Sequence, residues 1–420
     1  MSNENYLCVL PTEIVLYILT YLPVKDLIKC RRVSIRLKQI ADSLIRSEGL
    51  WREHCRKDFS NVYKIARYKS KPGLLWYNIY RSLSLWSKLA FAREEYDEFA
   101  SASDLNNEIS NVIILKDGIL GVHTQSAIVY YDLESLEKAK RGAITGTYLR
   151  YMENDDTIVI LNYNLQLFII RKIIQNPRYE TNITFDNVKS FLLVDDVIYF
   201  VTLTDDIYVC QLENMSNERL GHSDDGIMSL SFCRNKLHIL TFQRSILSYN
   251  DGNITHECTI TSETHLLNQL AEYNFLETLD WRIYNHWMYV LNLKLPNGPL
   301  RDIIKVHVYG DVVFVGSNWG VLRIYYAPYT DGLFDIYDAE PLRQFNFMDR
   351  SDCPVLTYCP IIQIDVCECE DGHTVIVAMP KKIAVLNFTH SFKRTASVAM
   401  LPYNDIPKTK TLKIQELNCN

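Results

Sequence analysis

From residue 107 onward the same short unit returns about every 40 residues: a polar opening, a strand-like apolar run, a polar turn and a second run. The clearest copies are 117–133, 155–171, 195–211, 234–250, 310–326 and 371–388. Asp117 and Asp156 are 39 positions apart, Asp156 and Asp196 are 40, and Asp196 and Asn235 are 39. Asn235 to Asp311 is 76, two steps of 38, so a degenerate unit is expected within 270–295. Asp311 to Asp371 is 60, which places an insertion within 327–356. Strand pairs recurring at this period cannot bury both faces alone and must be covered by neighbouring copies. The spacing therefore predicts an all-β propeller of about seven blades over residues 105–420. Runs such as Val197 to Val201 do not alternate, as expected of strands covered on both sides. The ring is expected to close by pairing 109–115 with the last blade, hiding an edge strand. A pair of stacked sheets is the other architecture such strands permit.

The first hundred residues have a different texture. Ile14, Ile18 and Leu22, with Val15 and Leu19 beside them, predict an amphipathic helix over 12–22. Pro11 suits its first turn, and Pro23 ends it. Asp26 favours the positive end of a second helix carrying Leu27, Ile28 and Cys30. Ser34 is placed to cap a third helix through Leu37, Ile40, Ala41, Leu44 and Ile45, with Gly49 as its break. Residues 53–99 continue helical, with Pro72-Gly73 as an interruption. Trp76 and Trp86 are spaced to pack between the helices and the strand-rich region. The stretch Glu94 to Glu98 and the small residues after it predict a boundary loop. The boundaries expected are thus 1–52, a three-helix unit; 53–104, a helical linker; and 105–420, the propeller. Three short helices bury too little apolar surface to be self-sufficient, so a partner or the rest of the chain must cover them.

Leu10-Pro11-x-Glu13-Ile14, Ile18-Leu19-x-x-Leu22-Pro23, Asp26-Leu27, Cys30, Val33-Ser34, Ile40 and Leu50-Trp51 stand in an order that resembles an F-box over residues 8–52. The resemblance implies a three-helix module that binds the Skp-type adaptor of a cullin-based ubiquitin ligase. It implies that Leu10, Pro11, Glu13, Ile14, Leu19, Leu22, Asp26, Leu27, Cys30 and Val33 form or support that contact. Val24-Lys25 departs from the more acidic or leucine-bearing pair common in the family. The propeller is similar to WD-repeat proteins in architecture only, since Tyr131-Asp132 alone resembles the repeat-ending Trp-Asp pair.

Charge is divided along the chain. Residues 1–100 carry 17 Lys/Arg and 11 Asp/Glu, a balance of +6, and the remainder carries 27 and 39, a balance of −12. A mildly basic head on an acidic body does not fit a nucleic-acid binder, which needs a strong basic stripe. No apolar run reaches the roughly 18 residues of a membrane helix. The opening residues lack the basic patch of a secretory signal, so the 11 scattered Cys read as reduced thiols of the cytosol or nucleus. The sequons at Asn182, Asn214, Asn253 and Asn387 are then chance matches.

Chemistry-bearing motifs are sparse. No phosphate-binding loop, nucleophile elbow or His-Glu-x-x-His occurs, so neither an enzyme nor a cofactor is expected. Cys353, Cys359, Cys367 and Cys369 lie near His373 but lack paired zinc spacing, so no metal is expected. Asp195-Asp196 and Asp205-Asp206 suit turns. Arg244, Arg282, Trp287, Trp319 and Arg323 fall in or beside turns and are the types enriched in binding hot spots. Clustered, the arginines would suit an acidic or phosphorylated signal. The expected function is substrate recognition for a cullin-based ligase, with an adaptor-bound scaffold as the alternative.

Overall fold

Proline and serine set the helix starts. The computed structural model of the protein describes residues 10–99, 108–172, 180–233, 236–250, 252–259, 303–328, 339–348 and 359–390. Pro11 and Pro23, each with φ −55°, stand immediately before α1 (Thr12–Thr20) and α2 (Val24–Cys30). Their missing N–H groups cost nothing there. The Ser34 hydroxyl accepts the Leu37 N–H at 3.1 Å and caps α3 (Ile35–Ile45). Gly49 does not break α3, contrary to expectation. The chain turns at Arg46-Ser47, and Gly49 lies inside α4 (Glu48–Asp58). Next come α5 (Tyr63–Tyr68), α6 (Trp76–Leu85) and a 3₁₀ turn, Trp86–Phe91. Between α5 and α6, Gly73 takes φ +76°, a conformation open to glycine after Pro72.

α1 to α4 share a core of Val15, Leu19, Leu27, Ile40, Leu44 and Trp51. The Trp51 indole N–H donates to the Ile45 carbonyl at 2.6 Å, and its ring meets Tyr77 of α6 edge-on at 4.8 Å. α6 is thus shared: Tyr77 and Tyr80 face the helical core, while Ile79 and Leu83 enter a second core with the strands.

The predicted strand pairs are the middle strands of four-stranded antiparallel sheets. The sheets run β2 (Ile109–Leu115), β3 (Ile119–Thr124), β4 (Ala127–Asp132), β5 (Ile144–Thr145); β6 (Tyr148–Glu153), β7 (Thr157–Asn162), β8 (Leu167–Arg171), β9 (Glu180–Phe185); and β10 (Val188–Val194), β11 (Val197–Thr202), β12 (Asp206–Gln211), β13 (Ser216–His222). The next two are β14 (Ile227–Cys233), β15 (Lys236–Thr241), β16 (Ser245–Asn250), β17 (Asn253–Thr259), and β18 (Ile303–Tyr309), β19 (Val312–Ser317), β20 (Val321–Tyr326), β21 (Arg343–Asn346). The last is β22 (Gln363–Cys369), β23 (Gly372–Ala378), β24 (Ile383–Thr389) and, on its edge, β1 (Arg93–Phe99). β22 lies beside β2 and β18, β2 beside β6, β6 and β7 beside β10, and β10 beside β14, so first strands line one side of successive sheets. This is propeller architecture. The described residues form six such sheets, and the degenerate unit at 270–295 lies outside them.

Ring closure differs from expectation. Residues 109–115 form β2, the first strand of the first sheet, whereas β1 pairs antiparallel with β24, Arg93 opposite Thr389 through Phe99 opposite Ile383. The acidic run 94–98 is therefore a strand and not a boundary loop. Its charged side chains suit an outer edge, where they discourage further pairing. The helical stretch ends at Phe91, so the strand array starts at 93 and not at 105.

In five sheets the first strand carries a β-bulge one residue from its start, at Ser110, Leu149, Lys189, Met228 and Ile304. The recurrence marks these as built features that re-aim the strand at that end of the ring.

The helices dock on the end formed by the turns between first and second strands. Val62 presses against Gly310 in the β18–β19 turn, where φ is +59° and a Cβ would come within 3.0 Å of the Val62 side chain. The Lys71 N–H donates to the Glu368 carbonyl at 3.2 Å. Lys69 pairs with the buried Asp365 at 2.6 Å, whose other oxygen accepts the Ile114 N–H at 2.7 Å. One carboxylate thus ties the linker to two sheets. Gly372 is the tightest point of the joint: a Cβ there would lie 1.8 Å from the Phe388 carbonyl oxygen. Gly372→Ala should lower stability by at least about 1–3 kcal/mol, because backbone must move. A thermal melt of the variant beside wild type checks this.

Candidate protein-interaction surfaces

α1 is apolar around most of its circumference. Val15 and Leu19 point into the helical core. Ile14, Tyr17, Ile18 and Tyr21, at i, i+3, i+4 and i+7, form a second stripe that is 42–67 % exposed. Ile28, Val33 and Ile35 extend exposed apolar surface onto α2 and the α2–α3 turn. A helix apolar on both faces normally lies inside a larger assembly. Contiguous exposed apolar surface marks an interaction site. Tyr17 and Tyr21 hold each other edge-on at 5.0 Å, with 2.6 Å between hydroxyl oxygens. The stripe is therefore partly pre-ordered.

The residues implied by the F-box resemblance divide between this surface and its support. Pro11, Glu13, Ile14 and Val33 are exposed, and Leu10, Leu22, Asp26 and Cys30 are half-buried. Leu19 and Leu27 are buried in the helical core. Sequence patterning merges the two stripes of α1 into one; it reads Ile18 and Ile28 only as helix or motif positions and passes over Tyr17, Tyr21 and Ile35. The available signal was apolar residues at 14, 15, 17, 18, 19 and 21, too many for one face.

The opposite end of the propeller, formed by turns between second and third strands, has its own pattern. The first residue of each of five turns uses a side-chain oxygen to accept a backbone N–H across the turn. Thr124 accepts from Ala127 at 3.2 Å, Asn162 from Gln166 at 2.9 Å, Thr202 from Asp206 at 3.3 Å, Thr241 from Ser245 at 3.1 Å and Ser317 from Val321 at 2.9 Å. In four of them the fourth position has positive φ: Leu165, Asp205, Arg244 and Gly320. Such closed turns push the residues between outward. Tyr163, Leu203, Phe242 and Trp319 accordingly stand 50–60 % exposed at the tips. Neighbouring sheets are stitched at this end, the Val188 N–H donating to the Leu165 carbonyl at 2.8 Å and the Ile227 N–H to the Asp205 carboxylate.

Among the residues expected to bind a target, Trp319 stands at such a tip and Arg244 is half-buried at the positive-φ position. Arg323 is not in a turn. It lies on β20 and its Nε donates to Gln344 Oε1 at 2.9 Å. Arg282 and Trp287 lie outside the described residues. Asp205 and Asp206 do serve turn chemistry, and they also hold Lys189 and Arg219 respectively. Tyr163, Leu203 and Phe242 were missed, although each follows directly on the polar residue that opens its turn.

Cys367 and Cys369 both stand on β22; the hydrogen bond with Cys369, and then burial, push the Cys367 thiol up, while the same bond draws Cys369 down to about 7. Among the described residues no three His, Cys, Asp or Glu converge as metal ligands, and Cys353 lies outside them. Glu368, His373, Ser82 and Trp86 form a buried polar cluster between the helices and the last sheet. No helix among the described residues is long and apolar enough to cross a membrane.

Comparison with known proteins adds one family. The F-box-like family model matches residues 7–57. No curated protein matches the chain. Among solved structures, the N-terminal domain of Nup159 is similar at 11 % identity and TM-score 0.43, covering 71 % of this chain and 96 % of that one. Hsv2 of Kluyvelomyces marxianus is similar at 10 % identity and TM-score 0.33, covering 65 % and 76 %. An F-box segment implies an adaptor-binding role related to ubiquitin ligases. Residues 7–57 are F-box-like, and they are followed by a propeller of four-stranded sheets.

Proposed function

We propose that this protein is a substrate-recognition subunit of a cullin-based ubiquitin ligase, acting in the cytosol or nucleus without bond chemistry of its own. The outer stripe of α1 docks a Skp-type adaptor, which brings the cullin scaffold, and the propeller holds a target protein. The observation that carries this is the coincidence of the F-box-like match with a helix whose second apolar face is open. The joint supports it as well. A target held on a propeller fixed to the helices is presented at a defined place, which raises the effective concentration of its lysines near the charged enzyme.

The scaffold alternative is separated from this by turnover. Cells expressing wild type or Ile14→Asp/Ile18→Asp are compared for proteins that bind the propeller in both. A receptor requires at least one such protein to be ubiquitinated and short-lived with wild type and stabilised with the variant. Equal lifetimes and no ubiquitin on any of them would leave a scaffold.

A further inference from the structure

The tip-bearing end of the propeller has a chemistry of its own, most complete over the sheets β6–β9, β10–β13 and β14–β17. Tyr163, Leu203 and Phe242 occupy the same position of three successive turns. Lys189, from the bulge of β10, lies 5.6 Å from the centre of the Phe242 ring and pairs with Asp205. Asp205 also accepts the Ile227 N–H, which begins the next sheet. The apolar tips therefore stand on a cross-linked base, and little ordering remains to be done on binding.

Carboxylates dominate around those tips. Lys189 and Arg219 are each held by an aspartate, Asp205 and Asp206. Asp186 beside the Tyr163 turn is exposed, as are Asp224 and Asp225 in the loop entering β14. Asp224 is fully exposed, with His222 Nε2 at 3.3 Å. Arg244 is the cation of the third turn and is half-buried. The local balance is negative, in keeping with the −12 carried by residues 101–420. Interfaces place opposite potentials together, and like charge brought to such a site costs several kcal/mol.

We infer that this end of the propeller receives a short target segment bearing both apolar and basic side chains, not an acidic or phosphorylated one. The inference rests on the receptor function proposed above and names its substrate class. Apolar groups would cover the tips, and Lys or Arg groups would meet Asp186, Asp224 and Asp225.

The test uses the full chain, with a displayed library of random short peptides and a pool of phosphoserine peptides as probes. The selected peptides are then synthesised and titrated into wild type, Leu203→Ser/Phe242→Ser and Asp224→Asn/Asp225→Asn. All the changes are at exposed positions, and folding is checked by circular dichroism. The expected result is enrichment of sequences mixing Lys or Arg with large apolar residues, and binding roughly tenfold weaker in each double variant. Added salt should weaken binding to wild type more than to the Asn variant. Preference for phosphoserine or acidic peptides, indifference to both variants, or no enrichment would each overturn the inference. Skp-type adaptor binding is measured on the same preparations. Its loss with peptide selection intact would sink the receptor function alone, and the converse would sink only the basic-apolar segment.

Discussion

Glu368→Ala is expected to be among the most damaging single changes in the protein, costing about 3–5 kcal/mol, the usual loss when one partner of a buried ion pair is removed. The carboxylate lies wholly inside the joint between α6 and the last sheet. One oxygen accepts the Trp86 indole N–H at 3.0 Å, the other lies 2.9 Å from His373 Nδ1 and also accepts from Ser82. The Trp86 ring stacks on His373 with centroids 3.7 Å apart. Deleting the carboxylate takes the acceptor from the Trp86 indole N–H and the partner from His373 where water cannot reach them, and leaves the Ser82 hydroxyl to the Gly372 carbonyl at 2.8 Å. Burial pushes the Glu368 carboxyl up, but the His373 charge and the hydrogen bonds from His373, Ser82 and Trp86 outweigh it and hold it below the usual glutamate range. A carboxylate depressed in the folded state adds stability above its unfolded pKa of about 4.3, and loses it as pH falls through the lower folded value. Acid should therefore loosen the joint in wild type, and Glu368→Ala should lose that component of the pH dependence. Denaturant unfolding at neutral and acid pH, with limited proteolysis of residues 69–92, checks both points. Wild-type stability in the variant would show that the joint does not depend on this cluster.

Trp51→Ala should cost about 3–5 kcal/mol as well, the range for removing a large buried aromatic side chain. The effect should be local, because Trp51 belongs to the core of α1 to α4 and touches α6 through Tyr77 and Tyr80. Its indole N–H satisfies the Ile45 carbonyl at the end of α3, so truncation leaves a cavity and an unpaired carbonyl together. Hydrogen exchange should rise sharply over 12–58 while the strands keep their protection. Adaptor binding should fall with the fold. Uniform exchange changes across the whole chain would mean that the helices and strands unfold as one unit.

The two changes bear on different kinds of legibility. The strand pairs were readable because each unit repeats the same polar opening and apolar runs, and all six became the middle strands of sheets. The first strands lacked a turn signal and showed only in part. The closing strand was hidden by composition: Glu94 to Glu98 reads as solvent loop, and becomes a strand because β24 offers an unpaired edge. Ser34 announced its helix through side-chain chemistry, and Gly49 misled because propensity is weaker than the packing of Leu50 and Trp51 around it. Glu368 could not be found in advance. A glutamate between two cysteines gives no sign that Ser82 and Trp86, some 280 positions away, supply its donors. On the surface, the F-box pattern marks the segment proposed here to dock the adaptor, but which side of α1 faces outwards is decided by tertiary packing. The turn tips needed the sheets in place before their equivalence could be seen.

The most direct measurement is calorimetric titration of a Skp-type adaptor into the full-length protein and into Ile14→Asp/Ile18→Asp. Both positions are exposed, so circular dichroism should be unchanged. Wild type should bind, and the variant should bind on the order of a hundredfold more weakly or not at all, as for two central hot-spot side chains. A folded wild-type protein that binds no adaptor, or a variant that binds as tightly as wild type, would contradict the assignment of the outer stripe of α1 as the adaptor-docking surface.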